Sequence, residues 1–126
     1  MNIRRVLSIA VIAAVMGGCA AGGSEPQYEE NAVIHQVTAA DTELAKSKEP
    51  LASTGAVLYV NGLGCPLCAT NVDKQLARVK GVSTIETDLS HGLVTVGFVG
   101  SVKPSAYQLG EAVADAGFTL VKIENR

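Results

Sequence analysis

Gly62-Leu63-Gly64-Cys65-Pro66-Leu67-Cys68 decides how the rest of this chain is read. Two thiols three residues apart can converge on one soft metal ion or close into one disulfide. Ahead of them, Ala56-Val57-Leu58-Tyr59-Val60 is a short apolar run of strand type; behind them, Cys68, Val72, Leu76 and Val79 recur at the spacing of one helix face. The thiols therefore fall on a strand-to-helix turn. Gly62 and Gly64 let the backbone bend sharply and approach a ligand, and Pro66 fits the first helical position, where its missing N–H has no partner to lose. Free N–H groups and the positive end of the helix dipole then lie beside the sulfurs. They favour thiolate, the form that binds metal and attacks disulfides.

Toward the C-terminus the order of elements is legible. Gly81, in Lys80-Gly81-Val82, supplies a helix stop. Thr84-Ile85-Glu86-Thr87-Asp88-Leu89 and Leu93-Val94-Thr95-Val96-Gly97-Phe98 alternate apolar with polar about Ser90-His91-Gly92, the pattern of a β-hairpin. Pro104 suits the start of a second helix, whose Leu109, Ala112, Val113 and Ala116 keep helical spacing until Gly117. Phe118 to Ile123 reads as a last strand. The order βαββαβ buries its stripes best as an α+β ferredoxin-like sandwich, a four-stranded antiparallel sheet with two helices on one face. That topology brings the cysteine loop, the Ser90-His91-Gly92 turn and the Ala116-Gly117-Phe118 junction to one end.

Toward the N-terminus the character changes twice. Residues 20–55 are rich in Gly, Ser, Glu, Gln, Lys and Thr and read as a tether. Six acids there stand against Lys46 and Lys48, a local charge of −4 that discourages collapse onto an anionic membrane. Ala32 to Val37 is compatible with a short strand or with no regular structure, and the isolated His35 reads as a solvated side chain rather than a ligand. Before that, Arg4-Arg5, the apolar run Val6 to Val15 and Met16-Gly17-Gly18-Cys19 are too short to span a bilayer and resemble a bacterial lipoprotein export signal. Met16 stands where such sites usually carry leucine. The resemblance implies a signal peptide over 1–18, lipidation of Cys19, a lipid-anchored flexible tether over 19–55 and a folded domain over 56–126. It also places the protein in the bacterial cell envelope, facing the periplasm. Ala20 after Cys19, in place of aspartate, points to the outer membrane.

Length and charge narrow the function classes. A chain of 126 residues with a net charge of −2 has room for one modest domain and, with its lysines scattered in sequence, shows no basic patch of the kind that binds nucleic acid.

The segment from about Ala56 to Glu124 resembles the heavy-metal-associated domain of copper chaperones, soft-metal-pumping ATPases and periplasmic mercury-binding proteins. The matching features are Gly62-Leu63-Gly64-Cys65-Pro66-Leu67-Cys68 at the G-M-x-C-x-x-C position, Lys80-Gly81-Val82, the hairpin, and Ala116-Gly117-Phe118, where glycine followed by tyrosine or phenylalanine is common. The resemblance implies a non-enzymatic module in which Cys65 and Cys68 bind a soft metal, with Phe118 beside them. Cu(I) comes first, and Ag(I), Hg(II) and Zn(II) are the other candidates. A metal-transporting ATPase or another metal-binding protein would be its partner. Leu63 replaces the usual methionine and should plug the core beneath the loop. Gly64 replaces the usual threonine or aspartate and offers no oxygen, which disfavours Zn(II), an ion that wants further donors. The alternative is a thiol–disulfide redox module, since Cys65-Pro66-Leu67-Cys68 also resembles the C-P-x-C of glutaredoxins. Plainer readings stand beside these: an idle disulfide for the thiols, simple core for Leu63, Val72, Leu76 and Phe118, and a solvated turn residue for His91.

Overall fold

Ala56, Leu58 and Val60 are fully buried, whereas Val57 and Tyr59 between them are half-buried, the two-residue period of a strand with one face on a core. These residues belong to β1 (Gly55–Asn61) in a computed structural model that describes residues 31–126. β1 pairs antiparallel with β3 (Leu93–Phe98) on one side and β4 (Thr119–Asn125) on the other, and β2 (Val82–Asp88) pairs with β3, giving the order β2-β3-β1-β4. In register, Leu58 lies opposite Val94 and Ile123, so one apolar ladder crosses the sheet.

Two helices cover that ladder. One spans Pro66–Leu76 and buries Val72 and Leu76; the other spans Ala106–Asp115 and buries Ala106, Leu109, Ala112 and Val113. Each connects two strands that flank a third, the interleaved split-βαβ arrangement expected from the sequence. The second helix begins two residues later than Pro104 predicts, at Ala106. Ser105 is its N-cap and forms a capping box with Gln108, satisfying N–H groups that proline could not serve. It ends as expected at Gly117, with φ +92°. Phe118 N–H donates to Val113 O at 3.1 Å and Gly117 N–H to Ala114 O at 2.9 Å, the paired bonds of a Schellman stop. That stop fixes where Phe118 leaves the helix.

The predicted tether departs from the structure over its described part. Residues 39–45 form a further helix, so that in chain order the helices are α1 (Ala39–Ala45), α2 (Pro66–Leu76) and α3 (Ala106–Asp115). A Thr38–Asp41 capping box starts α1, and α1 lies along β4, touching α3 as well. It thereby covers an edge strand that would otherwise present free backbone groups. Ala32 to Val37 has no regular secondary structure. It is nonetheless held: His35 N–H donates to Asn61 Oδ1 at 2.6 Å, and Asn61 Nδ2 donates to His35 O at 3.2 Å. His35 is therefore not solvated as expected. Its Nε2 lies 3.0 Å from Gly92 O and its ring meets Tyr59 edge-on at 5.2 Å. Farther along, Leu51 is buried and its N–H bonds Pro104 O at 2.9 Å. A polar composition concealed these few anchors. The Thr38-x-x-Asp41 spacing was the signal that could have located α1. Cys19 and the leader lie outside the described residues.

Candidate metal centre

The cysteine loop is built from three local devices. Gly62 turns the chain with φ +98°, a conformation that side-chain-bearing residues resist, whereas Gly64 is not in the left-handed region. Leu63 between them is fully buried in the core cluster, so it anchors the loop from beneath as expected. Cys65 then serves as N-cap of α2 with extended backbone, and Pro66 occupies the first turn. The Cys65 sulfur accepts the Cys68 N–H at 3.1 Å, the role an oxygen side chain usually fills at that position. This N–H, at the positive end of α2, stabilises negative charge on the Cys65 sulfur when the pair is reduced.

Cys65 and Cys68 are brought together. Their Cα atoms are 5.1 Å apart and the sulfurs are joined in a disulfide. Both line an open cavity of about 390 Å³ with Leu67, Thr70, Asn71, Lys74 and Phe118. Phe118 thus stands beside the sulfurs, where the resemblance placed it. Leu67 is 77% exposed and leaves an apolar side chain at the rim of the site. Asn71 Nδ2 donates to Ala116 O at 2.9 Å, tying α2 to the turn that carries Phe118. Among the described residues Lys74 is the cation on the lining, and no acid shares it. The sequence reading missed Asn71 and Lys74; both lie on the α2 side of the loop, at i+3 and i+6 from Cys68.

The three loops do meet at one end. Val60 N–H donates to Gly92 O at 2.9 Å, and Asn61 lies opposite Thr119 in the sheet. His91, on the hairpin turn, does not line the cysteine cavity. Its Nδ1 lies 2.7 Å from Asp88 Oδ2 and 2.9 Å from Ser90 Oγ. Hydrogen bonds from the Ser90 side chain first, and from His91 next, lower the Asp88 pKa from 3.8 to about 2. Among the described residues no three His, Cys, Asp or Glu side chains gather at one point. A donor set of two sulfurs fits a soft ion content with two ligands better than one that needs four.

A split-βαβ sandwich with one cysteine pair on an exposed turn defines a small metal- or thiol-handling module. More narrowly, the chain belongs to the heavy-metal-associated domain family, whose model matches residues 57–119. The chain is 32% identical over 65 residues to the copper chaperone CopZ of Staphylococcus aureus (strain bovine RF122 / ET3-1), a match that covers 52% of this chain and 94% of that one. Among solved structures, it resembles a CopZ metallochaperone at 31% identity and a TM-score of 0.48, over 52% of this chain and 96% of that one. It also resembles oxidized MerP from Ralstonia metallidurans CH34 at 32% identity and a TM-score of 0.49, over 55% and 94%.

Proposed function

We propose that this protein is a lipid-anchored envelope lipoprotein that binds one Cu(I) through Cys65 and Cys68, for sequestration or for transfer to a metal-transporting ATPase or another metal-binding protein. The observation that carries the reading is the convergence of two sulfurs on an exposed helix-start loop whose lining, among the described residues, holds no carboxylate or imidazole. Likeness to a copper chaperone supports the choice of metal. The Lys74 ammonium on the cavity lining offsets the net negative charge of a Cu(I) held by two thiolates. The ion is cargo, so an open, solvent-facing site suits it: a partner's thiols can reach the metal before Cys65 and Cys68 release it.

The disulfide favours a second reading, thiol–disulfide exchange. Under it, Cys65 and Cys68 cycle with a substrate disulfide. Under the first, the pair must gain two electrons and two protons to become the dithiol before either sulfur coordinates metal, with loss of those protons on binding. Anaerobic reduction of the full chain, followed by Cu(I), Zn(II) and Hg(II) titration alongside a coupled disulfide-reduction assay, separates the two. Stoichiometric Cu(I) uptake without disulfide turnover upholds the first reading; rapid turnover without tight uptake replaces it with the second.

Anchoring rests on Met16-Gly17-Gly18-Cys19 in the leader. Cys19→Ser should move the protein out of the membrane fraction or block its maturation. Unchanged membrane association with a lipid-free wild-type mass would refute the anchor.

A further inference from the structure

The end of the sheet opposite the cysteine loop gathers three cations that the sequence scatters. Lys48 precedes β1, Lys80 lies between α2 and β2, and Lys103 lies between β3 and α3. All three line one open cavity of about 510 Å³ with Pro50, Val102 and Tyr107 among its walls, and no acidic side chain among the described residues lines it. Among the described residues none of the three is in an ion pair. Lys48 Nζ lies 5.1 Å from the centroid of the Tyr107 ring, and Lys103 Nζ lies 6.0 Å from that of Phe98. The acids in the neighbourhood are Glu49, adjacent to Lys48 in sequence, and Glu111 and Asp115, which line the adjoining cavity together with Arg78 and with Lys80 itself.

Two aliphatic side chains stand out in solvent at the same pole, Val99 at 62% and Val102 at 59% exposed. They are not on a loose excursion. Val99 N–H donates to Gly81 O at 2.8 Å, and a Cβ on Gly81 would sit 2.2 Å from Val102 O. Both valines are therefore fixed against the connection that carries Lys80. Exposed aliphatic tips among unpaired lysines are the chemistry of a surface that meets phosphate headgroups above an acyl layer: the ammonium groups reach the phosphates while the valines enter the apolar boundary.

We propose that this basic pole docks on an anionic lipid bilayer and holds the Cys65–Cys68 loop at the far end, directed away from the membrane. The inference rests on the reading of Cys19 as the anchor that brings the domain to a bilayer, and it adds the orientation that an anchor alone does not set. The described chain enters beside Gly92, at the cysteine end, so a domain held by its anchor alone has no cause to turn its basic pole down. Eleven residues lie between Cys19 and Asn31; the link reaches at most about 40 Å, against about 23 Å for a seven-residue strand, so its length permits this orientation. With a net charge of −2 on the whole chain and −4 over residues 20–55, attraction to an anionic surface must be local to the pole, where Lys48 is joined by Lys80 and Lys103 from outside that acidic segment.

The test uses the full chain reconstituted with vesicles of phosphatidylcholine alone or with about 30% phosphatidylglycerol, followed by amide hydrogen exchange. Only the anionic vesicles should slow residues 100–103, by about tenfold or more, leaving residues 62–65 at their solution rate, and about 0.5 M salt should abolish the effect. The variant Lys48→Gln/Lys80→Gln/Lys103→Gln should lose it too, at roughly fivefold in partition per lysine, while wild-type exchange in β1 and β3 shows the variant folded. Equal exchange in both vesicle types, protection at residues 62–65 instead, protection reproduced by soluble glycerol phosphate or an acidic peptide, or no change in the triple variant would each overturn the proposal. Intact mass reads the lipid on Cys19 separately. A lipid-free chain that still shows anionic-vesicle protection upholds the docking surface and removes only the anchor.

Discussion

Gly64 is the residue at which the choice of metal turns. It departs from the oxygen-bearing residue common at this position of the family, and its backbone is outside the left-handed region, so a side chain there meets no φ penalty. Gly64→Asp should raise Zn(II) affinity by adding a hard oxygen and a negative charge next to Cys65, while making Cu(I) binding no tighter. Competition titrations of the two folded proteins check this; a wild-type site that already prefers Zn(II) would mean that donors from outside the loop complete it. Asp88 offers a second test at this scale. Its pKa is depressed to about 2, so the Ser90 and His91 hydrogen bonds contribute stability above the ordinary 3.8 and lose it as pH falls through about 2. A carboxyl NMR titration should place its midpoint near 2, and Ser90→Ala should move it back up. A wild-type midpoint near 3.8 would show that the turn does not hold together in solution.

Among the elements, the connections carry more than the sequence shows. Gly81 and Gly117 both read as helix stops, and both adopt positive φ, +91° and +92°. Their surroundings differ. A Cβ on Gly81 would sit 2.2 Å from Val102 O, whereas one on Gly117 would meet nothing within 4 Å. Gly117→Ala should therefore cost only the conformational penalty of about 1 kcal/mol. Gly81→Ala should cost about 2–4 kcal/mol, because the two connections must separate as well. Urea midpoints of the two variants check the ordering; equal losses would mean that the connections are not pressed together. The four strands and the two helices of the sandwich were legible because each repeats a period over several residues. Helix α1 was not: it has seven residues, none of them buried, so no apolar stripe marked it. Its contacts with β4 and α3, which no local pattern encodes, keep it in place.

Taken whole, the molecule separates its chemistry from its charge. The cysteine pair, Phe118 and the hairpin turn lie at one end of the sheet, and Lys48, Lys80 and Lys103, in no ion pair among the described residues, lie at the other. The first grouping could be read in advance because the βαββαβ order dictates which loops share an end. The second could not, because lysines 48, 80 and 103 become neighbours only after three separate connections fold together. The same holds for the bonds that join His35 to Asn61 and Gly92, which tie a segment read as tether to the root of the cysteine loop. Binding of metal by Cys65 and Cys68 is the central claim, and its most direct test is the Cu(I) stoichiometry and affinity of the reduced full chain beside Cys65→Ser, Cys68→Ser and the double variant, by competition with a chromophoric chelator. The expected result is one tightly held Cu(I) per wild-type chain and its loss in all three variants, each folded as judged by an unchanged urea midpoint, since a two-sulfur site has no redundant donor. Full wild-type affinity in the folded double variant would contradict it.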